Sequence, residues 1–249
     1  MSGFRERFGP WALVAGASEG LGAAFSRALA ARGLHLLLLA RRGEPLERLA
    51  GELRAAHGVE VRTAALDLGR PDLAGEVARL AAGLEVGLLV YDAAASAIGP
   101  FLDRPVEEQL RVLEVNCRGP LLLAHLLGAP MARRGRGGIL LMTSLAATQG
   151  NPWLVSYAAS KAFELVLAEV RAIRETQQQQ LEALEALLAE AARKQGARAF
   201  AEEGAVDRLL ARMAFAARAV PLRGPRPAFL AGAVSRRICS SSAARSAVS

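Results

Sequence analysis

The chain has 249 residues, 52% of them hydrophobic, which is enough for one sizeable α/β domain or two small ones. No apolar run approaches the ~20 residues of a membrane-spanning helix, and the first residues lack the pattern of a secretory leader. The net charge is +7, and the excess lies in 208–249, where eight arginines and no acidic residue occur. Binding to a nucleic acid would depend on that tail alone. A solvated tail is the favoured interpretation.

Apolar runs that predict buried strands alternate with amphipathic runs that predict helices. The predicted strands are WALVAG, LHLLLLA, VEVRTAALD, EVGLLVYDA and GGILLMTS, and the predicted helices cover about 21–32, 45–57, 71–83, 105–127 and the chain from about Val155. Continuous apolar strands separated by helices indicate a parallel sheet covered on both faces. The expected fold is therefore α/β, a doubly wound parallel sheet (Rossmann fold) that binds ligands at the carboxyl ends of its strands.

The first predicted strand runs into AGASEGLG, with glycines at Gly16, Gly20 and Gly22. Glycine allows a tight turn and close approach of the backbone, and the N-terminus of the next helix offers free N–H groups to a pyrophosphate. A tight strand–helix turn would need some of these glycines anyway. Their position after the first strand favours a dinucleotide site.

Arginines follow the second predicted strand, where an NAD-selective site usually has an acidic residue. Arg41 and Arg42 come directly after Ala40, and guanidinium groups suit a 2′-phosphate. The alternative is a solvated basic turn. The pattern favours NADP(H) as the cofactor.

The segment YAASK places Tyr157 and Lys161 four residues apart, on one face of the last predicted helix. A phenol has an unperturbed pKa of ~10, so it needs a nearby cation to exchange protons near neutrality. Lys161 could supply that charge, and it is one of two lysines in a chain with 29 arginines. Ser144, at the end of GGILLMTS, could position a substrate carbonyl beside Tyr157.

Over about residues 10–170 the sequence resembles the short-chain dehydrogenase/reductase family. The resemblance is carried by GASEGLG, by the pair LD after the third strand, by VNCRGP, and by the serine and Y-x-x-x-K pattern. It implies a cofactor site formed by Gly16, Ser18, Gly20, Leu21, Gly22, Arg41, Arg42, Asp67, Leu68, Asp92, Ala93, Tyr157 and Lys161. It implies a catalytic set of Asn116, Ser144, Tyr157 and Lys161.

The resemblance also implies a reaction and partners. NADPH would deliver hydride to a small-molecule carbonyl while Tyr157 protonates its oxygen, and Tyr157 would act as the base in alcohol oxidation. Ser144 would orient the carbonyl, Lys161 would favour the ionised phenol and hold the cofactor ribose, and Asn116 would keep a water in a proton relay. Family members usually pair through the helices near 107–127 and 155–173, so we expect a homodimer.

Asp92 departs from the family pattern, because YDAAAS stands where an Asn-Ala-Gly type of sequence is usual. An ionised carboxylate accepts hydrogen bonds but cannot donate them as an amide does. It also adds negative charge near an anionic cofactor. We therefore expect weaker NADP binding than in an Asp92→Asn variant.

The C-terminal third departs further, since no Pro-Gly segment follows the catalytic helix. A helical pattern with leucines at 181, 184, 187 and 188 continues instead, AVDRLLARMAFAARAV predicts another helix, and PAFLAGAVS is a weak strand candidate. We therefore expect a Rossmann domain over 1–175 with a shortened sheet, a helical extension over 176–220 and a disordered basic tail over 221–249. The alternative function is a catalytically impaired dinucleotide-binding or interaction protein.

Substrate and location are less strongly indicated. Ile98, Pro100 and Phe101 in SAIGPFLDRP hint at an apolar substrate, although ordinary loop packing explains them equally well. The two cysteines, Cys117 and Cys239, have no metal-binding spacing and indicate no disulfide framework. We expect a cytoplasmic protein without a metal site.

Overall fold

The computed structural model describes residues 2–169 and the backbone of 217–221. The strands are β1 Trp11–Ala15, β2 His35–Ala40, β3 Val61–Ala65, β4 Val86–Tyr91, β5 Gly138–Met142 and β6 Ala217–Pro221. The α-helices are α1 Ser2–Phe8, α2 Gly20–Ala30, α3 Gly43–His57, α4 Leu73–Leu80, α5 Val106–Leu113, α6 Gly119–Arg134 and α7 Val155–Glu169. A π turn, Glu114–Arg118, joins α5 to α6, and 3₁₀ turns cover Phe101–Asp103 and Leu145–Thr148.

The strands form one sheet in the order β3-β2-β1-β4-β5-β6. β1 to β5 are parallel, and β1 pairs with both β2 and β4. The order therefore reverses between β1 and β4, which is the point where ligands bind in doubly wound sheets. The expected doubly wound parallel sheet is confirmed.

Both faces of the sheet are covered by apolar side chains, as the continuous apolar strands predict. On one face, Phe25 and Leu29 of α2 pack with Leu46 of α3 against the strands. On the other, Val77 of α4 and Leu123 of α6 do the same. The described part of the chain contains no helix both long and apolar enough to cross a bilayer.

Two elements differ from the sequence-based expectation. α1 was not expected in the short charged N-terminal segment, yet its Phe4 and Phe8 rings lie 4.6 Å apart and Phe8 is fully buried. At 217–220, where a helix is predicted, the structure has β6, antiparallel to β5 over Ile139↔Val220 and its neighbours. The edge of β5 offers backbone N–H and C=O groups that need partners, and a strand at 217–220 pairs with them. A helix at these positions would leave them unpaired.

Among the described strands, the parallel part of the sheet ends at β5. The helical segment from 176 to 216, the weak strand candidate at 227–235 and the basic tail from 222 lie outside the described residues. The domain boundaries remain a prediction.

Candidate active site

A cleft of about 320 Å³ lies at the carboxyl ends of β1, β2 and β4. Its lining contains most of the residues expected to bind the cofactor, together with neighbours that were not expected. The lining comprises Gly16, Ser18, Glu19, Gly20, Ala40, Arg41, Arg42, Leu66, Asp67, Leu68, Asp92, Ala93, Ala94, Ala95, Arg111 and Val115. This volume lies within the ~300–1,000 Å³ of typical small-molecule sites. Leu21, Gly22, Tyr157 and Lys161 do not line it.

The glycine-rich loop can adopt its shape only without side chains at two positions. Gly16 has φ +93°, and a Cβ there would lie 2.6 Å from the Ala93 nitrogen. A Cβ on Gly22 would lie 2.1 Å from the Gly16 carbonyl oxygen. The backbone of β1, of the loop and of the first turn of α2 therefore pack directly on each other. The cleft meets the N-terminus of α2, where N–H groups have no helical partner.

Two predicted cofactor residues near the end of β2 and β3 are held by ion pairs. The Arg42 guanidinium contacts the Glu19 carboxylate at 2.6 Å, and both side chains are exposed. Asp67 accepts hydrogen bonds from the Gly69 N–H at 3.0 Å and from Arg111. Burial opposes ionisation of Asp67, but the bonds from Arg111 and Gly69 outweigh it and hold its pKa below the usual range.

Arg111 is a site residue that the sequence did not predict. It lies on α5, 44 residues beyond its partner Asp67, and no local spacing connects the two. Its guanidinium also occupies the space beside Gly69, where a Cβ would lie 2.2 Å from Nη1. The pair fixes the loop after β3 against α5.

Asp92 directly follows β4 and contacts the glycine-rich loop. Its backbone N–H and that of Ala93 both donate to the Ala15 carbonyl, at 2.9 and 3.0 Å. Its carboxylate accepts a hydrogen bond from the Gly22 N–H, one of the free donors at the start of α2. Burial raises the pKa of Asp92 to about 7, although the Gly22 bond and the Lys161 charge oppose that rise.

Asn116 lies fully buried on the π turn between α5 and α6. Its amide donates to the Ala95 carbonyl and accepts from the Ala95 N–H, both at 2.8 Å, and it donates to the Ser160 hydroxyl at 2.9 Å. A π turn displaces one residue from the regular helical bonding pattern, and the Tyr91 hydroxyl donates to the Val115 carbonyl there, at 2.6 Å. Asn116 therefore ties the loop after β4 to α7.

Lys161 is almost completely buried on α7 and makes two hydrogen bonds there. Its ammonium donates to the Met142 carbonyl of β5 and to the Glu164 carboxylate, both at 2.7 Å. The Lys161 Nζ lies 5.8 Å from the centroid of the half-buried Tyr157 ring. The expected juxtaposition of tyrosine and cation on one helical face is present in the structure.

Glu164 was not predicted as a site residue, although its spacing of three from Lys161 was visible in the sequence. Helical neighbours at that spacing usually form exposed pairs, and burial cannot be read from the spacing. Here both partners are buried. Burial raises the pKa of Glu164 to about 7, and the nearby Lys161 opposes that rise.

Ser144 follows β5 and precedes the 3₁₀ turn Leu145–Thr148. Its half-buried hydroxyl accepts a hydrogen bond from the Ala146 N–H at 3.2 Å, which fixes the start of the turn. Ser144 lies two residues beyond Met142, whose carbonyl binds Lys161, and Thr143 between them donates to the Lys161 carbonyl at 2.6 Å. The end of β5 is thereby joined to the helix that carries Tyr157.

The sequence and the fold of the chain are similar to those of known proteins. A family model described as short chain dehydrogenase matches residues 10–183. A 7beta-hydroxysteroid dehydrogenase of Collinsella aerofaciens is 34% identical over 165 residues, 66% of this chain and 63% of that protein. A very-long-chain 3-oxoacyl-CoA reductase of Podospora anserina is 38% identical over 160 residues, 62% of this chain and 47% of that protein.

A solved short-chain dehydrogenase from Sphingobium yanoikuyae in complex with NADPH is also similar. It is 29% identical with a TM-score of 0.61, and the match covers 73% of this chain and 67% of that one. The chain spans 63% and 47% of the two curated relatives above. The family match extends over more than half of the chain and includes the whole described site. The chain belongs to the short chain dehydrogenase family.

Proposed function

We propose that the protein is an NADP(H)-dependent oxidoreductase that interconverts a carbonyl and an alcohol by hydride transfer. The observation that carries the proposal is the buried Lys161 ammonium, 5.8 Å from the Tyr157 ring, on a helix joined to the ends of β4 and β5. When bound, the nicotinamide supplies or accepts the hydride. The side chains align the reactants and handle the proton.

Tyr157 exchanges that proton with the substrate oxygen. A buried cation beside the ring stabilises the phenolate electrostatically, because burial weakens the screening by water. Ser144 orients the substrate oxygen toward Tyr157. Asn116 keeps the loop after β4 against Ser160 of α7 and, with Lys161, supports a proton path away from Tyr157.

The glycine cradle and its surroundings support a dinucleotide with a 2′-phosphate. The close packing of Gly16 on Ala93 leaves the start of α2 open toward the cleft, where anionic groups are stabilised. Arg41 and Arg42 line the same cleft, and a 2′-phosphate would compete with Glu19 for Arg42. Titration with NADPH and NADH in parallel tests this assignment, and a smaller dissociation constant for NADH would refute it.

Asp92→Asn is expected to tighten NADPH binding by about five- to thirtyfold, because removal of one nearby charge is worth ~1–2 kcal/mol. The amide oxygen can still accept from the Gly22 N–H, and the amide nitrogen adds donors. Because the pKa of Asp92 is about 7, the difference between the two proteins should shrink as the pH falls below that value and the carboxyl is neutralised.

Fluorescence titration at acid and alkaline pH measures both effects. Asp72→Asn, at an exposed aspartate paired with Arg70 outside the cleft, is the matched control. Equal dissociation constants for the wild-type and Asp92→Asn proteins at alkaline pH would contradict the assigned role.

A bulky apolar ketone is the substrate class that the exposed loops favour. Ile98 and Leu102 are exposed on the loop after β4, and Trp153 is exposed on the loop before α7. The Gly99 N–H donates to the Trp153 carbonyl at 2.9 Å and so joins the two loops. The relatives named for hydroxysteroids and very-long-chain oxoacyl-CoA are consistent with this class. NADPH oxidation with acetophenone, benzophenone, a 7-oxosteroid and a 3-oxoacyl thioester tests the proposal.

A dinucleotide-binding protein with impaired catalysis is the second candidate. The observation that favours it is β6, which runs antiparallel to β5 and so departs from the parallel pattern of the rest of the sheet. NADPH binding without turnover of any ketone in the panel would favour this second function.

A homodimer is proposed through the apolar faces of α5 and α7. Val106, Leu110 and Leu113 form an exposed stripe on α5, and Phe163 and Val166 are exposed on α7. Exposed apolar patches are typical of interaction sites. Leu110→Glu should convert dimer to monomer in sedimentation equilibrium, whereas Leu102→Glu, at an exposed leucine outside this face, should not. A wild-type protein that sediments as a monomer would contradict the proposal.

A further inference from the structure

Glu164 is an ionisable residue in an unusual setting. Its side chain is 1% exposed, and a buried carboxylate is costly unless charge and hydrogen bonds compensate it. Oε2 accepts from Lys161, whereas Oε1 is buried without a hydrogen-bond partner in the described residues. The carboxylate is therefore committed to one partner, Lys161.

The Lys161 ammonium is held from two sides. Met142 on β5 and Glu164 one turn further along α7 each accept a hydrogen bond from Nζ at 2.7 Å. The backbone carbonyl of Lys161 accepts in turn from the Thr143 hydroxyl. The lysine side chain is thus fixed at the junction of β5 and α7, and Glu164 supplies the charged half of that fixation.

Glu164 also faces ionisable groups from neighbouring elements. Burial raises the pKa of Cys117, on the π turn, and the Glu164 charge adds to that rise. Burial and then the Glu164 charge likewise raise the pKa of Tyr91 on β4. Burial raises the pKa of Glu164, Lys161 opposes that rise, and the charge of Asp92, directly after β4, adds to it. The Lys161 charge therefore acts on two carboxyl groups, Asp92 and Glu164.

We propose that Glu164 is a positioning residue for the proposed reaction: it fixes Lys161 against the Met142 carbonyl and offsets part of the lysine charge that acts on Tyr157. The inference rests on the proposed function. A negative charge beside the lysine opposes formation of the phenolate.

Glu164→Gln tests the charge offset, because glutamine keeps the acceptor for Lys161 and removes the charge. In alcohol oxidation, with the alcohol of the panel ketone that the wild-type protein reduces fastest, the acidic limb of the kcat/KM profile should move to lower pH by about one unit. Glu76→Gln, at an exposed pair with Arg79 on α4, should leave the profile unchanged. A folded Glu164→Gln protein with the wild-type profile would overturn the proposal, since loss of packing alone lowers the rate without moving the limb.

A second measurement needs neither a folded Glu164→Gln protein nor turnover. The chain has two lysines, Lys161 and Lys194, so protein labelled with ¹³Cε-lysine gives a simple NMR spectrum that Lys194→Arg assigns. The Lys161 signal should shift with a midpoint near the pKa of Glu164, about 7, and should still do so in Asp92→Asn. A Lys161 signal without that inflection, or one that loses it in Asp92→Asn, would overturn the proposal. Absent turnover with the inflection present would instead count against the proposed function alone.

Discussion

Tyr157→Phe is expected to lower kcat/KM for ketone reduction by about 10²- to 10⁴-fold, the usual contribution of a general acid. The substitution removes the hydroxyl and keeps the half-buried ring beside Lys161. NADPH binding should change little, because Tyr157 does not line the cofactor cleft of the described structure. Steady-state NADPH oxidation and a parallel binding titration measure the two effects separately.

The only other tyrosine in the sequence is Tyr91, so Tyr91→Phe makes the same chemical change away from Tyr157 and is the matched control. The Tyr91 hydroxyl donates to the buried Val115 carbonyl, so its loss should cost about 1–3 kcal/mol of unfolding free energy. The Tyr91→Phe protein should nevertheless retain far more turnover than the Tyr157→Phe protein. If Tyr157→Phe keeps wild-type turnover, the assignment of the proton donor is wrong.

Gly16→Ala is expected to destabilise the protein by about 2–5 kcal/mol and to abolish NADPH binding. A left-handed backbone costs a non-glycine residue roughly 1–2 kcal/mol, and forced overpacking adds roughly 1–3 kcal/mol. Both conditions hold here, because φ is +93° and the new Cβ would lie 2.6 Å from the Ala93 nitrogen. Urea unfolding and NADPH titration measure the two losses.

Gly51→Ala supplies the control for the same chemical change. Gly51 lies inside α3, and a Cβ there would meet nothing within 4 Å. Alanine favours a helix over glycine, so this variant should gain about 0.5–1 kcal/mol and bind NADPH normally. An NADPH-binding Gly16→Ala protein of wild-type stability would contradict the close packing of the loop.

The strands and most helices could be predicted because their signals are local. Leu36–Leu39 form a continuous apolar run that is typical of a strand buried on both faces, and the structure buries all four. The glycine loop was equally visible, since Gly16 and Gly22 are needed by the backbone itself. Local sequence and tertiary structure agree there.

The remaining features depend on contacts between distant parts of the chain. The Asp67–Arg111 pair joins residues 44 apart, and the hydrogen bond from the Gly22 N–H to Asp92 joins β4 to α2. β6 forms by pairing with the edge of β5. The hydrophobic periodicity of 205–220 does not indicate that pairing. The sequence shows Glu164 three residues after Lys161, a spacing that allows an ion pair on a helix. The burial of that pair follows only from how α7 packs.

The proposed function depends on hydride transfer between NADP(H) and a carbonyl carbon. NADPH deuterated at the transferring C4 position, incubated with the ketone panel, tests it most directly by mass spectrometry of the products. The expected result is an alcohol with one deuterium on the former carbonyl carbon, formed by the wild-type protein and not by Tyr157→Phe. Saturating NADPH binding without any deuterated alcohol from the panel would contradict the account.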